Sequence, residues 1–504
     1  MVLSQHKREI YRRKIQNFWL DFSHHKVGFF GLIIILGFLV VAIIAPLLTP
    51  YEPATQLRRP PRVAAKYAAP AWFKAFPTYS EANPTVKITT NVSDATLVDV
   101  EGAVQVNLDE LKFNFNSSGN EKEVASVTLD LGTFEYKHAS PPAFTMYTSY
   151  TMLFNKTGLK TYFIIKNFSK YPTWELFKYP DKAEMLIGTY TPTTGGYVIT
   201  NKITNALSKE GYTNEVVNSL YKSEVLKAGA PANPAPLIFP EPGVYGIQVK
   251  FEFFTVYPFG DAYAELHFTK ASLSIWGGVH GILGANFQGT DVWTELVWGA
   301  RISFMVGVLS ALVATTLGIL YGVVSGYLSG FVDEFLMRVV DVLLCIPVLP
   351  ILLVLTRYFE PNVYFIVVLI AIFGWQGLSR VIRSRVLSLK EMAFIESAKA
   401  SGASDSYLIT RHLIPNVLPI AMSAMVLAVP GAIITEASLS FLGFGDPNSA
   451  TWGRMLYHAY QLGGLESWWV WVPPGLAICA ICIGFVFMGH AIDEIVNPRL
   501  RRRR

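Results

Sequence analysis

The residues of this chain that could do chemistry gather in two places. The first runs from Glu391 to Pro415 and reads EMAFIESAKASGASDSYLITRHLIP, a polar stretch rich in Ala, Ser and Gly between two long apolar runs. Such a stretch makes a loop that another protein can grip. Good helix formers from Glu391 to Ser401, a Gly402 able to take the positive φ that ends a helix, and Ser404 or Asp405 as a cap predict two short helices meeting at a corner, with Pro415 as the stop. The second place is Glu436, inside the apolar AIITEASLSFLGFG. A carboxylate at such depth faces a cavity or a neighbouring helix, so lining of a pathway or gate and structural pairing are both open. Cys479 and Cys482 have a CxxC spacing, but with no His or acid nearby they read as small packing residues.

Absent motifs exclude other chemistries. No GxxxxGK[ST] loop occurs, so the chain does not cradle ATP phosphates itself, and neither HExxH nor GxSxG is present to suggest a protease or an esterase. The chain reads as a non-catalytic subunit with no cofactor-binding or metal-binding residues.

The elements that hold these residues are legible from hydropathy. The 504 residues are 51% hydrophobic and only 16% charged, with a mean hydropathy of +0.34, which places the chain among membrane proteins. The net charge of +5 clusters at membrane-flanking segments and is read as topology; it does not suggest nucleic acid. The three cysteines, Cys345, Cys479 and Cys482, lie in apolar segments and form no disulfide framework.

Residues 1–26 are basic and lead into an uncharged run at 27–49, long enough for a span of about 20 residues and longer than a signal-peptide core of roughly 7 to 15. It is expected to stay as an anchor. Further spans are expected at Ile302–Tyr327, with Gly307, Gly318, Gly322 and Gly326 for close packing, at Glu334–Thr356, bent by Pro347 and Pro350, and at Asn362–Ser379, Val417–Phe441 and Trp468–Ala491. Asp341 reads as a packing partner of Arg338. Six spans put Arg380, Arg383, Arg385, Lys390, Lys399 and Arg411 on the side of the amino terminus and of the basic tail at 501–504, so both termini are expected in the cytoplasm.

Residues 50–275 differ in character. Prolines punctuate the start, and period-two alternation follows at Val104/Val106/Leu108, Val127/Leu129/Leu131 and Ile247/Val249/Phe251/Phe253, the pattern of half-buried strands. A helical patch is expected at 205–227 and a Pro/Ala hinge at 228–242. The stretch reads as a mostly β soluble domain inserted after the first span, extracytoplasmic by topology. Its sequons at Asn91, Asn116, Asn155 and Asn167 leave glycosylation open. Tyr147, Tyr150, Trp174, Phe177, Phe253 and Tyr257 could supply a contact surface, although most aromatics of a β domain are core.

Glu396, Ser397 and Ala398, then Gly402, then His412, Leu413, Ile414 and Pro415 resemble the coupling-loop motif of the permease subunits of ABC importers. His412 to Asn416 is similar to the dipeptide/oligopeptide/nickel branch. Ser397 stands where the motif usually has a second Ala, and His412 where many members have Ile. Leu283–Phe304 resembles the family's approach to its second span, with Ala285 and Asn286 in place of Thr and Asp, and the likeness continues to Leu500. It does not cover the insertion, since C-type permeases of this branch have only a short segment there. The resemblance implies six transmembrane helices of the type I importer kind, helix 1 at 27–49 and helices 2 to 6 in a permease core at 276–500. It also implies two separate ATP-binding subunits that carry ATP and Mg and grip the loop at 391–415, a second and different permease chain, and an extracytoplasmic solute-binding protein. Glu396 would pair with a base on the ATPase, Ala398 would permit close approach, and Ser397, Gly402, His412 and Pro415 would complete the loop. Di- or oligopeptides are the implied cargo, with oligosaccharides or nickel as alternatives. An ion-driven secondary transporter would want more ionisable residues at the membrane centre and inverted repeats, and an adhesion or sensor module would need one span only.

Overall fold

A computed structural model describes residues 16, 18–53, 62–90, 95–119, 121–167, 174–180, 197–204, 239, 242–255, 260–359 and 361–496. The chain divides into two compact units, one made of Met1–Pro61 with Asn286–Arg504 and the other of Arg62–Ala285.

The first unit is helical. Its elements are α1 (Lys26–Leu48), α2 (Val292–Leu328), α3 (Gly330–Cys345), α4 (Val348–Tyr358), α5 (Val363–Ile372), α6 (Gln376–Lys390), α7 (Ala393–Ala400), α8 (Asp405–Leu408), α9 (Ile414–Phe441), α10 (Trp452–Gln461) and α11 (Trp468–Val496). Among the described residues four helical stretches are long and apolar enough to cross a membrane: α1, α2, the run from Asp405 through α9, and α11. Two bent pairs, α3 with α4 at 81° and α5 with α6 at 44°, bring the number to six if each pair is one span. The sharper bend has its cause at Pro347, which caps α4 and cannot continue α3.

Small residues let these helices approach closely. A Cβ on Gly322 would meet the Ser379 carbonyl at 2.5 Å, one on Gly307 would meet Ile433 at 2.5 Å, and one on Gly31 would meet the Gly484 carbonyl at 2.5 Å. Thus α2 lies against α6, and α1 against α11, at backbone distance, while Gly307 of α2 leaves room for the Ile433 side chain of α9. Asp291 caps α2 by accepting from the Thr294 backbone at 2.8 Å, and the exposed Arg301 guanidinium lies 5.8 Å from the Trp298 ring centre. Asp341 does meet Arg338, at 3.9 Å, but its closer partner is Arg380. Local spacing did not reveal the Asp341–Arg380 pair.

The second unit is built from β1 (Ala69–Pro70), β2 (Val86–Thr90), β3 (Thr96–Glu101), β4 (Val104–Asn107), β5 (Lys112–Ser117), β6 (Val124–Tyr136), β7 (Ala143–Asn155), β8 (Thr157–Asn167), β9 (Trp174–Pro180), β10 (Tyr197–Thr204), β11 (Gly243–Thr255), β12 (Ala262–Trp276) and β13 (Val279–His280). One sheet runs β10-β7-β12-β5-β4, with β2 also on β12, and the other runs β3-β6-β11-β8-β9. The alternating residues meet across the second sheet, Val249 opposite Leu129 and Phe251 opposite Val127. Phe113 and Phe115 of one sheet stack on Phe251 and Phe253 of the other at 6.0 and 5.9 Å, so the apolar faces close on each other as a sandwich.

Tyr150 and Phe253 are wholly buried in that core and offer no contact surface. Tyr257, the helical patch at 205–227 and nearly all of the hinge at 228–242 lie outside the described residues, as do the side chains of Tyr147, Trp174 and Phe177. Asn116 is exposed and Asn155 half-buried, whereas Asn91 lies outside the described residues.

Candidate functional site

The polar stretch at 391–415 forms a corner whose closure is local. Helix α7 ends in a paired C-cap in which the Ala403 amide donates to the Ala398 carbonyl at 3.1 Å and the Gly402 amide to the Lys399 carbonyl at 3.0 Å. That Schellman arrangement needs a left-handed residue just after the C-cap Ser401, and Gly402 supplies it at φ +83°. Ser404 then accepts from the Tyr407 amide at 3.4 Å to start α8.

Two predicted features take a different form. Pro415 does not stop the second helix: after α8 the chain widens into a π turn at Ile409–Leu413 and runs on as α9, with Pro415 in its first turn. A proline lacks only its own N–H and crowds the carbonyl a turn earlier; the wider turn relieves both. Asn416 Nδ2 takes up the His412 carbonyl at 2.7 Å. Ala398 is half-buried and turned toward the core, where it packs with Ala403 against the cluster beneath the loop. The exposed small residue next to Glu396 is Ser397, whose hydroxyl folds back on the Ala393 carbonyl at 2.8 Å.

Glu396 is exposed in the first turn of α7, where a carboxylate also suits the helix dipole. The His412 ring lies 6.0 Å from Phe394 and 5.6 Å from Tyr407. Those two aromatics are 42% and 51% exposed, so the exposed face of the corner combines charged residues, Glu396 among them, with small residues and an aromatic patch. Its inner face is apolar. Ile395, Leu408 and Leu413 are buried on Val323, Ile382, Val386 and Leu389 of α2 and α6.

Polar residues that sequence spacing did not single out fix this corner to α2 and tie the helices beneath it, α2, α3 and α6, to one another. The Tyr327 hydroxyl at the end of α2 donates to the Asp405 carboxylate. Lys390 Nζ donates to the Tyr327 carbonyl at 2.7 Å and to Ser329 Oγ at 2.9 Å. Arg383 grips Asp333 through two parallel bonds of 2.6 and 2.5 Å, and Ser325 donates to the same carboxylate. The partners are far apart in sequence and differ in type, so no periodic signal marks them; the seven-residue spacing of Arg383 and Lys390 along one helix face was the only trace.

Glu436 belongs to a different place. It lies on α9 roughly 30 Å along the axis from Pro415, nearly the thickness of a bilayer core. It is 2% exposed. One carboxylate oxygen accepts from Ser440 Oγ at 2.6 Å, and the other has no hydrogen-bond partner among the described residues.

Comparison with known proteins falls on this helical unit. The family described as binding-protein-dependent transport system inner membrane component matches residues 314–502, and the one described as N-terminal TM domain of oligopeptide transport permease C matches residues 14–70. A Brucella ovis protein described as a peptide permease is 37% identical over 218 residues, 43% of this chain and 72% of that protein. The oligopeptide transport system permease protein OppC of Bacillus subtilis is 33% identical over 220 residues, 44% of this chain and 72% of that protein. The dipeptide transport system permease protein DppC of the same organism is 34% identical over 220 residues, 44% and 69% respectively. With relatives so similar over more than two thirds of their length, this chain belongs to the binding-protein-dependent transport system inner membrane components, as a multi-pass permease subunit of the C type found in ABC importers.

Proposed function

We propose that this permease subunit carries di- or oligopeptides across the membrane, and that the corner at 391–415 is where ATP hydrolysis on separate subunits is converted into movement of its spans. The observation that carries the reading is the clamp: a knob with an exposed outer face, held to α2 and α6 by Tyr327–Asp405, Lys390 and an apolar seam. A push on such a knob moves the long helices as rigid bodies, and it is not absorbed in a loop.

In this reading six spans cross the membrane with both termini in the cytoplasm. Two ATP-binding subunits carry ATP and Mg, and each grips one coupling loop. This chain offers one such loop, so a second permease supplies the other. Glu396 pairs with a base on the ATPase, Ser397 permits close approach, Gly402 holds the corner, and His412 sets the aromatic patch. Pro415 carries the motion into α9, and Glu436, a membrane's thickness away on the same helix, stands at the gate. The unit at 62–285 is extracytoplasmic and docks the solute-binding protein or the partner permease. Peptide cargo rests on the names of the similar permeases.

The test is reconstitution of the complex in liposomes with its solute-binding protein. ATP hydrolysis stimulated by that protein, with peptide uptake, is expected. Tight binding of oligosaccharide or nickel without peptide by the solute-binding protein would replace the cargo and leave the coupling reading standing, whereas unstimulated hydrolysis would remove both.

A further inference from the structure

The second unit carries an apolar tip that its sandwich core does not use. Trp72 lies on a short 3-10 turn, Ala71–Ala75, and Phe76 joins it to a second, Pro77–Tyr79; the two side chains are 48% and 52% exposed beside an Ile282 that is 56% exposed. The tip is rigid. Ala69–Pro70 pairs with Val279–His280, the Ala71 amide donates to the Gly281 carbonyl at 2.9 Å, and Phe73, buried beneath, meets Trp72, Phe76 and Tyr79 edge to face at 4.5, 5.8 and 5.1 Å. Because the Trp72 indole N–H is already given to the Ile282 carbonyl at 2.9 Å, the face can leave water without stranding a donor. The exposed Lys74 sits on the same turn, its stem able to lie along an apolar layer while its ammonium reaches anionic headgroups.

Covalent tethers keep this tip within reach of a membrane. The 23 residues of α1 make a helix about 35 Å long, so crossing the bilayer uses its whole length and places Leu48 and Thr49 at one boundary. Trp293 Nε1 donates to the Leu48 carbonyl at 3.4 Å, and the Thr49 and Thr294 hydroxyls meet at 2.5 Å, so the start of α2 lies at the same level. From Ile282 to Val292 the chain reaches at most about 35 Å fully extended, and the turn closed by Asn286, Gly289 and Thr290 shortens that reach.

We propose that Trp72, Phe76 and Ile282 form a lipid-interface anchor that seats in the headgroup and upper acyl layer of the bilayer the chain itself crosses. Aromatic side chains with a satisfied polar edge and a neighbouring lysine are the residues that settle at that depth. The anchor gives the second unit a fixed footing on the membrane surface, and it is independent of which cargo the permease carries.

The experiment uses the full chain with Cys345, Cys479 and Cys482 replaced by alanine, in nanodiscs of phosphatidylcholine and phosphatidylglycerol. A small fluorophore is attached at Phe76→Cys, at Ile282→Cys, or at Lys137→Cys as a control on a side chain that is 70% exposed in the same unit. Lipids spin-labelled near the headgroup are expected to quench the first two labels and spare the control, while aqueous iodide quenches the control and spares the first two. If one labelled variant fails to fold, the other decides. Iodide quenching at Phe76 and Ile282 equal to the control overturns the anchor, as does shielding that arises only after a solute-binding protein is added, which would make the tip a protein-docking surface.

Discussion

Gly402 stands at φ +83° with open space where a Cβ would lie, so substitution there meets backbone strain alone. The left-handed conformation costs a β-branched residue about 1–2 kcal/mol or more, whereas Asn tolerates it. Gly402→Val is therefore expected to open the corner and reduce co-purification of the ATP-binding subunits, with Gly402→Asn retaining most of it and the spans folded in both. Full ATPase complement and full uptake in the valine variant would refute the role given to the corner. Tyr327 acts one step removed, through Asp405. Tyr327→Phe should lower thermal stability by about 1 kcal/mol, the worth of one partly exposed hydrogen bond, while uptake per ATP hydrolysed falls, since the knob then rocks on its apolar seam. Unchanged coupling with lowered stability would make the bond structural only. On α10, burial first and then the positive Arg454 push the His458 imidazole down to about 4 from 6.5. Between those values the unfolded chain binds a proton that the folded chain refuses, so stability is whole above 6.5 and is lost as pH falls toward 4. His458→Gln is expected to flatten that acid limb in melting curves of the detergent-solubilised protein, and an unaltered limb would place the proton elsewhere.

Helix approach is an element-scale property, and two glycines separate packing from propensity. A Cβ on Gly322 would sit 2.5 Å from the Ser379 carbonyl, with Ile382 also in the way, whereas one on Gly377 has nothing within 4 Å. Gly322→Ala is expected to force α2 from α6 and lower stability by about 1–3 kcal/mol, and Gly377→Ala to be neutral or mildly stabilising, as alanine in a helix ordinarily is. Unfolding followed by heating in detergent compares the two, and equal midpoints would show that the helices are not held at backbone distance. The same seam carries the corner at 391–415, since Val323, Ile382 and Val386 pack beneath Ile395, Leu408 and Leu413. Loosening it should therefore lower coupling together with stability.

At the scale of the molecule, the unit at 62–285 closes its own aromatic core between two sheets, so its removal is not expected to unmake the helical unit. Replacing residues 62–285 by a flexible Gly/Ser linker should leave basal ATP hydrolysis of the assembled complex and reduce its stimulation by the solute-binding protein; unchanged stimulation and uptake would take from the unit its docking role. How much of this was legible beforehand follows the range of the forces involved. Gly402, Ser404, the strand alternation at 127–131 and 247–253, and the close-packing glycines of α2 all act within a few residues or through a fixed period, and each was readable from the chain alone. Pro415 was misread because a proline's local effect was weighed without the π turn that absorbs it. The inward turn of Ala398, the burial of Tyr150 and Phe253, the meeting of Tyr327 with Asp405 and of Arg383 with Asp333, and the exposed tip at Trp72 required the fold. Hydropathy and local propensity specify elements because their energies are local, whereas a hydrogen bond between residues far apart in the chain depends on which surfaces the packing brings together, and that is decided only by the tertiary structure.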